Sequence, residues 1–97
     1  MEIKNLVAEI YENAVKHGWY DDQADIPTLL CMVHAEVSEA LEAHCNHDLD
    51  NFAEELADIV IMVFSMSGEL GIDIEKEITQ KNQFNKKRPY RHGNKAC

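Results

Sequence analysis

The chain has 97 residues, of which 45% are hydrophobic, and its formal net charge at pH 7 is −9. This length predicts a single domain over residues 1–97, and the hydrophobic fraction excludes a wholly disordered chain. No apolar run reaches the roughly 20 residues that a membrane helix requires, so no membrane span is expected.

The cysteines and the N-terminal segment favour a reducing, cytoplasmic location. Three cysteines, at positions 31, 45 and 97, cannot all pair within one chain, and their spacing does not resemble a disulfide framework. The N-terminal segment has no signal-peptide pattern. We therefore expect free thiols, with Cys31 packed in the core.

Charge is distributed unevenly along the chain. Residues 1–80 hold all 18 acidic residues and three of the nine basic ones, whereas residues 81–97 hold six basic residues and no acid. A basic end on an acidic body has two interpretations. It is either a solvated tail that binds nucleic acid weakly, or a phosphate-binding arm beside an acidic metal site.

Helical spacing dominates, and it predicts an all-α, four-helix, bundle-like subunit. A first helix is expected over about residues 2–17, ending at Gly18. A second helix, 27–45, begins near Pro27, which suits the first helical position. The inner stripe of the first helix consists of Ile3, Leu6, Val7, Ile10 and Ala14.

The third and fourth helices carry recognisable end signals. The third covers about residues 50–70, with Asp48 or Asp50 as its N-cap and Gly71 at its end. The fourth follows Asp73 and runs to about residue 87. Residues 89–97, which begin with Pro89, are expected to form a basic tail.

The third helix is apolar on nearly all sides. Between Leu56 and Met66 only Asp58 and Ser65 are polar. Such a helix must be surrounded by others, and so short a chain offers few. We therefore predict that oligomerisation completes the core. The alternative is a central helix in a monomeric bundle.

Two acidic pairs occupy apolar helix faces. On a helical wheel at about 100° per residue, Glu36 lies inside the apolar stripe of the second helix and Glu39 lies at the edge of that stripe. Glu55 and Asp58 repeat this geometry on the third helix. Burying a lone carboxylate costs several kcal/mol, and a divalent cation such as Mg²⁺ removes this penalty. Pairing with Lys or Arg is the alternative, but neither helix carries one.

Three polar residues continue the inner stripe of the fourth helix. Ile74 and Ile78 define that stripe, and Lys81, Asn85 and Arg88 extend it toward the end of the bundle. Arg suits bidentate phosphate contacts and Lys supplies a point charge. These residues are candidate phosphate ligands; the alternative is a solvated end of the helix.

Together these residues form the pattern Glu36-x-x-Glu39, fifteen residues, then Glu55-x-x-Asp58, with a downstream segment ending in Arg88-Pro89. This pattern resembles the MazG-like nucleotide pyrophosphohydrolases of the all-α NTP pyrophosphatase superfamily. The resemblance extends from His17-Gly18-Trp19 to the Arg-Pro-Tyr-Arg-His-Gly run at residues 88–93.

The resemblance implies hydrolysis of an NTP or dNTP between its α- and β-phosphates, with Mg²⁺, or Mn²⁺ as a substitute. It implies that Glu36, Glu39, Glu55 and Asp58 are metal ligands and that Lys81, Asn85 and Arg88 bind substrate. Glu36 and Glu39 are the candidate catalytic carboxylates, and Glu36 is preferred for orienting water because its apolar setting raises its basicity. Family members assemble as dimers or tetramers.

Trp19 is a candidate for stacking on the nucleobase, although a tryptophan in a small domain is more often a core residue. A ferritin-like di-iron site is disfavoured, because it requires Glu-x-x-His on two helices. Another alternative is a non-catalytic helical module that binds nucleotides, or nucleic acid through its basic tail. That module leaves the buried acids unexplained, so a nucleic-acid partner is not expected.

Overall fold

The protein was analysed as a computed structural model, which describes residues 2–22 and 25–90. This part of the chain contains four helices and no strand, which confirms the predicted all-α fold. None of the helices is both long and apolar enough to cross a membrane. In chain order they are α1 (Ile3–Lys16), α2 (Ile26–Cys45), α3 (Leu49–Leu70) and α4 (Ile74–Lys86). Most of the predicted basic tail, from residue 91 onward, lies outside the described residues.

Three of the helices begin with an aspartate whose carboxylate accepts a hydrogen bond from a backbone N–H three residues later. These N-caps are Asp25, Asp48 and Asp73. Each satisfies a donor that the first helical turn leaves without a partner. Asp48 is therefore the cap of α3, and Asp73 caps α4 as predicted. Pro27 is the second residue of α2 and not the first, because the cap at Asp25 starts that helix one residue earlier.

Glycines follow the ends of α1 and α3. Gly71 has φ 68° directly after Leu70, and Gly18 has φ 80° two residues after Lys16. Glycine adopts this left-handed conformation without a steric penalty. Both predicted helix ends are confirmed.

The helices α2 and α3 form an antiparallel hairpin, and α1 packs on α3. The hairpin is closed by a short turn in which His47 has a positive φ. The most buried apolar side chains are Leu29, Ala40, Ala43 and Phe64, all on the hairpin. The hairpin therefore holds the most buried part of the described structure.

A glycine permits the close approach of α1 to α3. A Cβ atom built on Gly68 would lie 2.6 Å from both Cβ and Cγ of Tyr11. No side chain is tolerated at that distance. The hydroxyl of Tyr11 donates a hydrogen bond of 2.7 Å to Glu69, the next residue on α3. Contact and hydrogen bond together fix the position of α1 along α3.

The helix α4 departs from its predicted packing. It has a small contact with α1, and none of its residues is buried. Ile74 is half-buried, but Ile78 is 41% exposed, so the predicted inner stripe leaves the core after one turn. The prediction for Cys31 is wrong as well, because Cys31, like Cys45, is free and exposed.

Candidate metal centre and adjoining cavity

The two acidic pairs lie on the hairpin with the orientations that the helical wheel indicates. Glu36 and Glu55 are half-buried, whereas Glu39 and Asp58 are exposed. The antiparallel arrangement brings the two half-buried acids opposite each other across the hairpin. Two acids that are far apart in sequence thus share one side of the interface between α2 and α3.

Three of these acids form a tight group, which we call the carboxylate cluster: Glu36, Glu39 and Glu55. One carboxylate oxygen from each lies within 4.8 Å of the others. Oε2 of Glu36 and Oε2 of Glu55 are inaccessible to solvent and have no hydrogen-bond partner. Unsatisfied buried carboxylate oxygens are costly, and either proton uptake or a bound cation would offset that cost at these two facing positions.

Burial perturbs the acid–base behaviour of the cluster. Loss of hydration, with smaller contributions from neighbouring Glu36 and Glu39, raises the pKa of Glu55 from its ordinary value of 4.5 to about 7. Loss of hydration is also the main cause that raises the pKa of Glu36, assisted by the charge on Glu39. Both shifts show that the folded protein disfavours negative charge at these positions unless a cation is present.

No basic side chain in the described part of the chain forms an ion pair with the cluster. Within residues 2–22 and 25–90 the sole ion pair joins Lys16 to Glu12, both exposed on α1. The interpretation that the buried acids pair with Lys or Arg therefore has no support in the described structure. The donor set, all carboxylate oxygens, is that of a hard divalent cation such as Mg²⁺ or Mn²⁺.

A cavity of about 370 Å³ adjoins the cluster, bounded by α1, α2 and α3. Glu36 and Asp58 line one end of it. Asp58 is close enough to Glu36 to raise the pKa of that carboxyl through its charge. The fourth predicted ligand thus lies beside the cluster and lines the cavity.

Aromatic and neutral polar side chains also line the cavity: Asn13, Trp19, Tyr20 and Ser65. Trp19 is 57% exposed, so it is not a core residue, and it borders the cavity as a stacking residue would. The Tyr20 hydroxyl and the Ser65 hydroxyl are joined by a hydrogen bond. This bond attaches the connection after α1 to the middle of α3.

The predicted phosphate ligands do not join this site within one chain: Lys81 and Asn85 lie on α4, and Arg88 follows the end of that helix. Lys81 and Arg88 both lie over the ring of Phe84, at 4.7 and 5.7 Å from its centre. Asn85 is exposed beside them, and none of the three lines the cavity. Their role in substrate binding stays a prediction.

The fold and the site define an all-α protein with a carboxylate-rich centre on a helical hairpin, next to a partly apolar cavity. The model of the MazG-like family matches residues 27–96, and the chain belongs to that family. Both acidic pairs and α4 lie within the matched residues. Membership indicates a function of the nucleotide pyrophosphohydrolase type and a dependence on metal ions. No curated protein and no solved structure gives a significant match to the chain.

Sequence reasoning missed three residues that line the cavity. Asn13 and Tyr20 gave no signal, because an isolated Asn on an amphipathic helix and a Tyr in a connection are common in any domain. Ser65 did give one: it is a polar residue in the apolar run of α3, and it is 7% exposed. A buried hydroxyl within such a run indicates a polar partner, which here is Tyr20.

Proposed function

We propose that the protein is a Mg²⁺-dependent nucleoside-triphosphate pyrophosphohydrolase, which cleaves an NTP or dNTP between the α- and β-phosphates. The supporting observation is the pair of buried carboxylate oxygens without partners, on Glu36 and Glu55, in a cluster that forms no ion pair with a basic residue of the described ranges. The proposal includes a cytoplasmic location, in keeping with the free thiols of Cys31 and Cys45.

The carboxylates of Glu36, Glu39, Glu55 and Asp58 would hold the cation. Bound there, Mg²⁺ would supply charge neutralisation for the phosphates and polarisation of the α-phosphorus. The unsatisfied oxygens of Glu36 and Glu55 fit this assignment, because coordination removes the cost of their burial. Four carboxylates without a histidine or a thiol favour an oxygen-preferring ion over zinc.

Glu36 is our candidate for the general base. Its half-buried setting favours proton uptake, and it lines the cavity where substrate would enter. In this step Glu36 takes a proton from water as the water oxygen bonds to the α-phosphorus. The bond from that phosphorus to its bridging oxygen then breaks, and pyrophosphate leaves with the electron pair. Glu39, in the same cluster, is the second candidate catalytic carboxylate.

We further propose that a second copy of the chain covers one side of the hairpin. Leu30, Val37 and Leu41 form an exposed stripe on α2, and Leu49, Leu56 and Val60 form one with the same spacing on α3. On a wheel each stripe lies about 120° from Glu36 or Glu55, in the same rotational sense. In antiparallel helices that places both stripes on one side of the hairpin, opposite α1. An apolar, internally symmetric face of this kind suits a two-fold dimer.

A second copy also offers a position for the cations of α4. In the single chain Lys81, Asn85 and Arg88 have no access to the cavity, and α4 carries no buried residue. The neighbouring acidic body would attract this basic segment. In the assembly these three residues would bind the β- and γ-phosphates of a triphosphate held by the partner's carboxylates.

The activity is tested by measuring pyrophosphate release from a panel of canonical NTPs and dNTPs with Mg²⁺. Glu39→Gln keeps the shape of the side chain but removes a ligand charge, so we expect kcat to fall by about 100-fold or more. Glu42→Gln is the matched control: Glu42 is exposed on the same helix outside the cluster, and its replacement should leave kcat unchanged.

Two outcomes would contradict this proposal. Pyrophosphate release at background level from every nucleotide, with helicity intact by circular dichroism, would contradict the enzymatic function and favour the non-catalytic module. Equal losses in Glu39→Gln and Glu42→Gln would show that the carboxylate cluster is not the catalytic centre.

A further inference from the structure

The cavity beside the carboxylate cluster has a graded lining. On α3, Asp58, Met62 and Ser65 face it in succession, and on α2 Glu36, Met32 and Leu29 do so in the same spatial order. The first and last residues of each set are seven positions apart, which corresponds to about 10 Å along a helix. The cavity is therefore elongated, with acids at one end, apolar walls in the middle and polar groups at the far end.

This gradient matches the chemistry of a nucleotide. The phosphates need the cation end, the sugar is compatible with the apolar walls, and the base requires a flat apolar surface together with hydrogen-bonding groups at its edge. Trp19 supplies an exposed indole that borders the same cavity. Every nucleobase has a π-face, so stacking on Trp19 provides affinity without selectivity.

Asn13 supplies the hydrogen-bonding group. It faces the cavity from α1, and its side-chain amide has no hydrogen-bond partner among the described residues. An amide offers both a donor and an acceptor side by side, which is the arrangement that pairs with the edge of a base. The two other polar groups nearby, on Tyr20 and Ser65, already bond to each other.

The tie between Tyr20 and Ser65 holds this end of the cavity in shape. Tyr20 also packs on Tyr11, with ring centres 5.6 Å apart, and Tyr11 is bonded to Glu69 of α3. Trp19 directly precedes Tyr20, so its backbone is held at α3 as well. The stacking surface and Asn13 are thus positioned by contacts that do not involve the carboxylate cluster.

We infer that this cavity binds the nucleoside half of the substrate, with Asn13 reading the edge of the base and Trp19 stacking on its face. The inference rests on the proposed function for the identity of the ligand. It assigns base selectivity to α1 and to the connection that follows it, apart from the acids of the hairpin.

The test compares kcat/KM for the four common dNTPs and their ribonucleotides in three variants. Asn13→Leu removes both hydrogen-bonding groups, and we expect kcat/KM for the preferred base to fall about 10- to 100-fold while the least preferred changes less than about threefold. Asn13→Asp keeps the shape but replaces the donor with an acceptor, so the order of preference should change. Asn5→Leu, on an exposed position of α1 away from the cavity, should change neither.

A binding measurement separates this inference from the hydrolytic proposal. The chain has one tryptophan, so its fluorescence reports Trp19 alone. We expect nucleoside monophosphates to quench it saturably without Mg²⁺, about 10-fold more weakly in Asn13→Leu. Quenching with this dependence would support the nucleoside site even if no nucleotide is hydrolysed. Turnover with base preferences unchanged in both Asn13 variants would overturn it and leave the hydrolytic function standing.

Discussion

At the scale of single residues, the folded protein disfavours the ionised form of the carboxylate cluster. Glu55 and Glu36 both have raised pKa values, chiefly because burial strips their carboxyl groups of water. The same burial makes them receptive to a cation, which removes the proton and supplies the missing charge. Proton and metal ion therefore compete for one set of oxygens.

The raised pKa of Glu55 predicts how stability depends on pH. Because the folded state binds the proton more tightly than the unfolded state, the stabilisation is present below about pH 4.5 and is lost as the pH rises through about 7. The free energy of unfolding of the metal-free protein should decrease between these values, and Mg²⁺ should restore stability more at pH 7.5 than at pH 5. Urea denaturation across this range measures it.

The contribution of Glu55 is isolated by a pair of variants. Glu55→Gln should flatten the decrease in the free energy of unfolding with pH, whereas Glu54→Gln, at the exposed neighbouring position, should preserve it. An unfolding free energy that rises from pH 5 to 7 in the metal-free wild type would contradict the assigned direction of the shift.

At the scale of helices, the seating of α1 on α3 depends on the absence of a side chain at Gly68. Gly68→Ala places a methyl group where Tyr11 lies, 2.6 Å away, so α1 must shift. We expect a loss of about 1–3 kcal/mol in the free energy of unfolding, measured by urea denaturation. A neutral or stabilising effect, as alanine has at an open helix position, would show that the two helices are not in contact there.

The sequence predicted the helices well because their ends are encoded locally. The caps Asp48 and Asp73 and the terminator Gly71 act on backbone groups within three residues of themselves. The acids Glu36 and Glu55 were also identifiable, since a helical wheel reveals a charge on an apolar face. The predicted start of α2, at Pro27, is one residue late. The sequence carries two adjacent start signals, a capping aspartate and a proline, and the aspartate sets the first residue of the helix.

What the sequence left open depends on contacts between distant segments. Whether Trp19 joins the core or borders a cavity is decided by the bond between Tyr20 and Ser65, 45 positions apart. The direction of α4 also depends on contacts between distant segments. Its apolar Ile78 wrongly indicated a face directed toward the core. A periodic pattern shows that a face needs a partner but does not say which segment or which chain provides it.

At the scale of the whole molecule, the exposed stripes on the hairpin predict a stable oligomer. Val37→Lys places a charge in the middle of the proposed contact, where it cannot be hydrated, and should shift the protein toward monomer. Sedimentation velocity at micromolar concentration measures the change. Ala8→Lys, on an exposed position of α1, is the control for added charge. A wild-type protein that sediments as a monomer would exclude the assembly.

The hairpin carries all four acids in the short stretch from residue 36 to residue 58, interrupted by one tight turn, while Asn13 and Trp19 come from the preceding segment. Reactivity and selectivity would then be inherited on separate pieces of the polypeptide. Substitutions along α1 would change which nucleotide is accepted without disturbing the ion-binding residues. Close relatives with different substrate preferences would then need few other sequence differences.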